Sequence, residues 1–272
     1  MFLLVAALSE EVAGILRTGG YFPIEAPHPF MAFRSRGQTG LSRAVDTVVV
    51  LTGTGRERAT KATQWALSEF SPEAVMSIGF GGGTREALQP GDLVLGTELY
   101  RLDGSPFYWD SNQLGAPLRP DRGLLGRARN AVEIAGIDFE LGPIINLPTI
   151  AKTAGMKRWL GKSLGASAVD MESFMVCEVA QDNETPFVAV RAIVDTVDQD
   201  LPELVLQVDQ GPNGGRVVPA LKYLARHPFE ISSLTRLAKA AVQARRSLSG
   251  FISEFQSELA ASGGISHTSQ TV

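Results

Sequence analysis

Cysteine is almost missing from this chain. Cys177 alone cannot form an internal disulfide, and a lone thiol suits a reducing compartment, so a cytoplasmic protein is expected. Histidine is scarce as well: His28, His227 and His267 are scattered, none at metal-ligand spacing to another or to Cys177, so no metal site is expected. There is no excess of basic charge. With 25 Lys and Arg against 29 Asp and Glu, the net charge of −4 leaves no electrostatic footprint for nucleic acid. No apolar run reaches the roughly 18–20 residues that a membrane helix needs. The apolar run Phe2–Leu8 lacks a preceding basic segment and passes straight into Ser9-Glu10-Glu11, so it reads as a buried strand rather than a signal peptide. Glycine is missing at two decisive positions. Gly53-Thr54-Gly55 follows a strand and opens a helix, but the third glycine of a G-x-G-x-x-G fingerprint falls at Arg58; in Gly79-Phe80-Gly81-Gly82-Gly83 it falls at Thr84. Neither stretch supports a dinucleotide, and no cofactor is expected.

What is present is enough apolar residue, 44% of 272, for a sizeable core. The runs Phe2–Leu8, Val45–Thr52, Ala74–Ile78, Asp92–Tyr100, Phe139–Leu147 and Phe187–Asp195 read as strands, with a further one at Phe30–Arg34. Helical spacing follows Gly55 as far as Phe70, and recurs over Arg122–Ala135, Thr153–Leu164 and Glu172–Asn183. This alternation predicts an α/β fold: a mixed, mostly parallel central sheet flanked by helices in three layers. Residues 1–255 are read as a single catalytic domain, with 216–255 a C-terminal helical extension broken at His227-Pro228 and 256–272 a disordered Ser/Gly/Thr-rich tail. The irregular stretch Leu102–Pro120 carries Phe107, Tyr108 and Trp109, and is a candidate lid or subunit contact.

Three acids, Glu11, Glu172 and Asp195, each follow a predicted buried strand. Each has an ordinary explanation, as a helix-terminal or turn acid. Together they can converge on the carboxyl edge of the sheet, where open α/β proteins bind ligands. Arg191, in mid-strand, calls for a buried partner, and Cys177, among Val176, Val179 and Ala180, reads as core packing. The glycines either make tight turns or let backbone N–H groups approach a ligand oxygen.

The segments Ala7-Leu8-Ser9-Glu10-Glu11-Val12, Gly53-Thr54-Gly55, Gly79–Gly83 with Pro90-Gly91-Asp92, and above all Val169-Asp170-Met171-Glu172-Ser173 with Val190-Arg191-Ala192-Ile193-Val194-Asp195 resemble one family. It is the superfamily of nucleoside phosphorylases and 5′-methylthioadenosine/S-adenosylhomocysteine nucleosidases, and the likeness spans residues 1–200. The resemblance implies a phosphorylase/hydrolase-like fold, a nucleoside substrate and a homodimer. It implies that Glu172 accepts hydrogen bonds from the ribose hydroxyls with Met171 on the sugar face, and that Asp195 helps protonate purine N7. It also implies that Glu11 activates the attacking water and that Ile150 meets the base edge, beside Thr149 and Val169. Gly79, Phe80 and Gly81 would lie near the sugar or an anion. Two positions depart from the family pattern: Phe80 stands where a serine is common, and Thr149 where an aromatic would stack on the purine.

Breaking a purine–ribose bond builds positive charge on the sugar and negative charge on the base. An acid beside the base and a carboxylate beside the sugar oppose both, as in glycosidases. Water is preferred to phosphate as the nucleophile, because a carboxylate 4 Å from a phosphate charge costs about 4 kcal/mol at an effective dielectric of 20. Arg56 or the Gly79–Thr84 stretch keeps a phosphorylase open, and Phe80 with Thr149 keeps open a binding protein without catalysis. The C-terminal extension resembles that of the hopanoid-biosynthesis-associated group, which acts on adenosylhopane. There Leu224, Leu234, Leu237 and Ala241 share one helical face near Arg226, Arg236, Lys239, Arg245 and Arg246. The expectations are a helix pair packed on the domain, a cover for an apolar 5′ tail, or a basic face for peripheral contact with anionic membrane.

Overall fold

The computed structural model describes residues 1–18, 20–35, 45–104, 114–203 and 231–261. Along these the chain runs β1 (Phe2–Ala6), α1 (Ser9–Thr18), β2 (Tyr21–Ile24), β3 (Met31–Ser35), β4 (Thr47–Leu51), α2 (Arg56–Phe70), β5 (Ala74–Gly83) and β6 (Leu93–Arg101). It continues through α3 (Arg122–Ile134), β7 (Phe139–Asn146), α4 (Ala154–Ser163), β8 (Ala168–Asp170), α5 (Ser173–Asp182), β9 (Phe187–Asp195) and α6 (Ile231–Ala261). Phe107–Trp109, the 216–230 part of the extension with its His227-Pro228 break, and 262–272 lie outside the described residues.

The sheet order is β2-β3-β4-β1-β5-β8-β7-β6-β9, and β9 pairs with β5 as well as β6. Strands β5, β8, β7, β6 and β9 therefore close into a ring, with β1 and β4 continuing the sheet in parallel on the other side of β5. β1 and β4 are buried along their whole length because both faces are covered. The pleat sends alternate side chains to opposite layers. Phe2 and Leu4 of β1 join Val12 of α1, Leu124 of α3 and Phe251 and Phe255 of α6. Leu3 and Val5 join Ala59 and Ala62 of α2 and Val176 and Ala180 of α5. Cys177 is fully buried in this second layer, as core packing, and burial pushes its thiol upward.

The main differences from expectation each have a local reason. β1 stops at Ala6, not Leu8, because the N–H groups of Ala7 and Leu8 donate to Glu11 Oε2, at 2.9 and 2.8 Å, instead of to a strand. The β2 strand was hidden by Pro23, which is tolerated because β2 is an edge strand paired only with β3. β5 does not open into a glycine loop at Ile78 but remains a strand through Gly83, paired with β9 and β8. Helix α6 runs past the expected Phe255 end to Ala261, so the boundary at 256 falls inside a helix. Leu259 is buried, and Gln256 Nε2 donates to Tyr21 Oη at 2.8 Å and Thr47 Oγ1 at 3.0 Å.

Candidate active site

A cavity of about 630 Å³ opens beside the carboxyl ends of β1, β5, β8 and β9. Glu11, Phe80, Gly81, Thr149, Ile150, Val169, Met171, Glu172 and Asp195, all singled out from the sequence, line it together. Gly79 does not. It borders a small internal space with Glu11 and Arg191 behind the cavity, because its place is under the Glu11 carboxylate. A Cβ on Gly79 would lie 2.8 Å from Glu11 Oε1. The glycines of β5 also pack closely on protein side chains: a Cβ on Gly82 would lie 3.2 Å from Asp195 Oδ2, and one on Gly81 3.1 Å from Arg191 Cβ.

Glu11 is gripped by backbone. Oε2 accepts from Ala7 and Leu8, and Oε1 accepts from Phe80 N–H at 2.9 Å. Burial pushes its carboxyl above the usual range, while these amides and the Arg191 charge pull it partly back. Glu172 Oε1 accepts from Gly55 N–H at 2.7 Å. At both glycine stretches a backbone N–H that could have met a ligand, that of Gly55 and that of Phe80, is therefore occupied by one of the protein's own acids. Burial and the adjacent Asp170 charge push Glu172 up to about 8, so in the free protein near neutral pH it holds a proton more than it holds charge.

Asp170 anchors the motif. Its Oδ2 accepts from Ser173 N–H at 2.8 Å, which caps α5, and receives Arg191 Nε at 2.7 Å and Nη2 at 2.6 Å. Oδ1 accepts from Ser173 Oγ at 2.8 Å. Arg191 also donates to Ser77 O and Ser77 Oγ, so the mid-strand arginine has the buried partners it calls for. The helix accordingly starts at Ser173, one residue later than expected, and Glu172 is left at the turn facing the cavity.

Lys157 was missed from the sequence. It lies on α4, fully buried, and its Nζ donates to Asp195 Oδ2 and to Thr196 O, each at 2.6 Å. The signal was available: Ala154, Lys157, Leu160 and Gly161 form the buried face of α4, so Lys157 falls at a core position. Arg56, held open for phosphate, is spent elsewhere. Its guanidinium donates to Asn146 Oδ1 at 2.7 Å, to the carbonyls of Leu102 and Asn146 and to Asp103, and does not line the cavity. Among the described lining residues Arg58 is the one cation, and it is exposed, against four acids: Glu11, Asp170, Glu172 and Asp195.

Much of the remaining lining is apolar: Leu8, Leu147, Ala151 and Leu201, with Leu234, Leu237 and Ala241 of α6. Ala240, Ala244, Leu248 and Phe251 fix the helix to the core. Of the expected apolar face only Leu224 lies outside the described residues. Among the described residues no group of three or more His, Cys, Asp or Glu side chains could hold a metal ion, and no helix is long and apolar enough to cross a membrane.

A ring-closed mixed sheet, helices on both faces and acids converging at the strand ends define a phosphorylase-type α/β protein, and the family model of that kind matches residues 2–224. The chain belongs to the Phosphorylase superfamily. Among curated proteins it is 28% identical over 198 residues to the 5′-methylthioadenosine/S-adenosylhomocysteine nucleosidase of Bacillus licheniformis, covering 70% of this chain and 84% of that one. The enzyme of the same name from Shewanella sediminis is 25% identical over 206 residues, covering 73% and 87%. The same fold occurs in the Neisseria meningitidis 5′-methylthioadenosine/S-adenosylhomocysteine nucleosidase in complex with methylthio-immucillin-A, with a TM-score of 0.66, 22% identity and coverage of 92% and 97%. It occurs also in the futalosine hydrolase of Helicobacter pylori, with a TM-score of 0.67, 20% identity and coverage of 93% and 97%.

Proposed function

We propose that this protein hydrolyses the N-glycosidic bond of a 5′-substituted adenosine, releasing adenine with water as the nucleophile, and that the 5′ substituent is large and apolar. The observation that carries the reading is one cavity lined both by the acids Glu11, Glu172 and Asp195 and by aliphatic side chains, among them Leu234, Leu237 and Ala241 of α6. In this reading the purine lies between Asp195 and the Thr149–Ile150 turn, with Val169 beneath it. The ribose hydroxyls donate to Glu172, against Met171. Glu11, held from behind by three backbone N–H groups, takes a proton from the water that attacks C1′. Ribose donation and the growing cation at C1′ both favour the charged form of Glu172, so the carboxyl that is protonated in the free protein ionises as substrate binds.

Arg58 is the one cation among the described lining residues, Arg56 is spent elsewhere, and the Gly55 and Phe80 amides already serve Glu172 and Glu11, so no built site for a phosphate dianion is present there, which favours hydrolysis over phosphorolysis. Phe80 and the α6 leucines suit a lipid-like 5′ group better than a small polar one, and adenosylhopane, implied by the resemblance of the extension, fits that description. The deciding experiment is chromatography of 5′-substituted adenosines and inosine incubated with the protein, with and without phosphate. Adenine release that does not depend on phosphate is expected, with longer apolar 5′ groups turned over best; strict phosphate dependence with formation of a ribose 1-phosphate would overturn hydrolysis. Asp195→Asn and Glu172→Gln are each expected to lower kcat/KM by about 10²-fold or more, in line with the usual contribution of a positioned acid or base. Wild-type turnover in both variants would move the site elsewhere.

A further inference from the structure

We propose that Lys157 is a positioning residue for the acid that protonates the base: its ammonium holds Asp195 by Oδ2, leaves Oδ1 for the purine, and stabilises the carboxylate that remains once the proton has moved to N7. The inference rests on the reading above.

A buried ammonium and carboxylate are a poor way to gain stability, since an apolar pair of similar volume often does as well. Lys157 nevertheless occupies the core face of α4, fully buried, with Asp195 Oδ2 and Thr196 O each 2.6 Å from Nζ. The lysine thus reaches the acid from the side away from the cavity that Asp195 lines. Among the described residues no protein hydrogen bond reaches Asp195 Oδ1. Gly82 supplies the space, since a Cβ there would sit 3.2 Å from Oδ2. The α4 start is itself pinned to the segment after β9: Ala154 N–H donates to Asp200 Oδ1 at 2.7 Å and Leu201 N–H to Lys152 O at 2.9 Å. The lysine and the acid are therefore held by two elements that are tied to each other.

Two opposing influences act on Asp195. Burial pushes its carboxyl up, and Lys157 draws it down, with burial the larger. The other charged groups on the elements packed around the pair are Arg158 and Lys162 on α4, Asp198 and Asp200 after β9, Arg191 on β9, and Glu11, Asp170 and Glu172 in the cavity lining. Asp198 is drawn below its usual range first by the Thr196 hydroxyl, with Lys157 and Arg158 contributing less. The step balances as follows. The C1′–N9 bond breaks and its electron pair stays on the purine; the Asp195 proton passes to N7; water oxygen bonds to C1′ and gives its proton to Glu11. Asp195 is left as a carboxylate against the Lys157 ammonium, which makes it a stronger acid at the moment of transfer. The Glu11 proton then returns to Asp195 through solvent.

The test compares Lys157→Met, Lys157→Gln and Lys157→Arg on a 5′-alkyl adenosine and on a p-nitrophenyl riboside with the same 5′ group, whose leaving group departs without protonation. Without the ammonium Asp195 is a weaker acid and stays protonated to higher pH. The alkaline limb of the kcat profile is therefore expected to move up by at least one unit in the Met and Gln variants. Their kcat on the adenosine should fall about 10²-fold with KM changed less than about threefold, as for a weakened acid catalyst. The loss on the nitrophenyl riboside should be at least about tenfold smaller, and Lys157→Arg should recover a large part of the adenosine turnover. An unmoved alkaline limb, or equal losses on both substrates, in whichever neutral variant folds would make Lys157 structural only. If neither neutral variant folds, a folded Lys157→Arg that loses turnover equally on the adenosine and on the nitrophenyl riboside has the same meaning. Wild-type protein that releases no adenine would overturn the functional reading and this inference with it.

Discussion

At Glu11 three backbone N–H groups converge on one carboxylate, and the residue directly beneath it has no side chain. Gly79→Ala puts a methyl carbon 2.8 Å from the present position of Glu11 Oε1, which the Phe80 amide holds in place. Glu11 must then leave its position. Turnover of Gly79→Ala is expected to drop toward that of Glu11→Gln, about 10²-fold or more, with KM little changed. Steady-state kinetics of the two variants side by side checks this, and a fully active Gly79→Ala would detach Glu11 from the chemistry. Glu172 carries a second residue-scale consequence. Its carboxyl is held up at about 8 when folded and has an ordinary value of 4.5 when unfolded. Between those values the unfolded chain has lost the proton that the native protein keeps. The stabilisation is complete below pH 4.5 and is lost as pH rises toward and through about 8. Glu11 and Asp195 are shifted in the same direction. The Tm of the free protein is therefore expected to decline between pH 5 and 8, and Glu172→Gln to flatten the decline; equal slopes would contradict the burial of this acid.

Among the elements, α6 and α4 bear most on what the site does, and the sequence foreshadowed them unequally. In α6 the spacing of Leu234, Leu237 and Ala241 was legible as one face, and that face lines the cavity. The pattern alone could not say whether it met the domain, a ligand or a membrane, because all three present an apolar surface. Leu237→Ala removes half-buried methyl groups from the cavity wall. Up to about 2 kcal/mol of binding to a long apolar 5′ group is expected to go, at roughly 0.8 kcal/mol per buried carbon. KM should rise for 5′-alkyl substrates and stay level for a 5′-methylthio one; a uniform rise would place α6 outside substrate recognition. The exposed Arg236, Lys239 and Arg246 leave room for a basic contact with anionic lipid, and liposome flotation at low and high salt tests it directly. In α4 the lysine sat at a core position of an otherwise ordinary amphipathic helix. Its partner, Asp195, is 38 residues away and is reached only because β9 ends beside α4.

For the molecule as a whole, the Asp170–Arg191 pair joins β8 to β9 and, through Ser77, to β5. Arg191→Met would strand Asp170 in the interior without its cation. A loss of about 3–5 kcal/mol is expected, the usual cost of breaking one side of a buried ion pair, and urea denaturation would measure it. Phe255→Ala should cost a similar ~3–5 kcal/mol, because Phe255 is fully buried with its ring 5.4 Å from that of Phe2 and 5.8 Å from that of Phe251. A mild effect there would mean that α6 is an accessory rather than part of the core.

The linear sequence determined the α/β class and the places of most strands and helices, because buried strands and amphipathic helices write their periods into local composition. It also named the acids, since Glu11, Glu172 and Asp195 each follow a run that reads as a buried strand. Only the tertiary structure decided what surrounds those acids. That Gly79 makes way for Glu11, that the Gly55 and Phe80 amides serve Glu172 and Glu11 rather than a ligand, and that Lys157 holds Asp195 are contacts between residues 38 to 117 positions apart. Such contacts arise from sheet register and helix docking, and no local pattern encodes them.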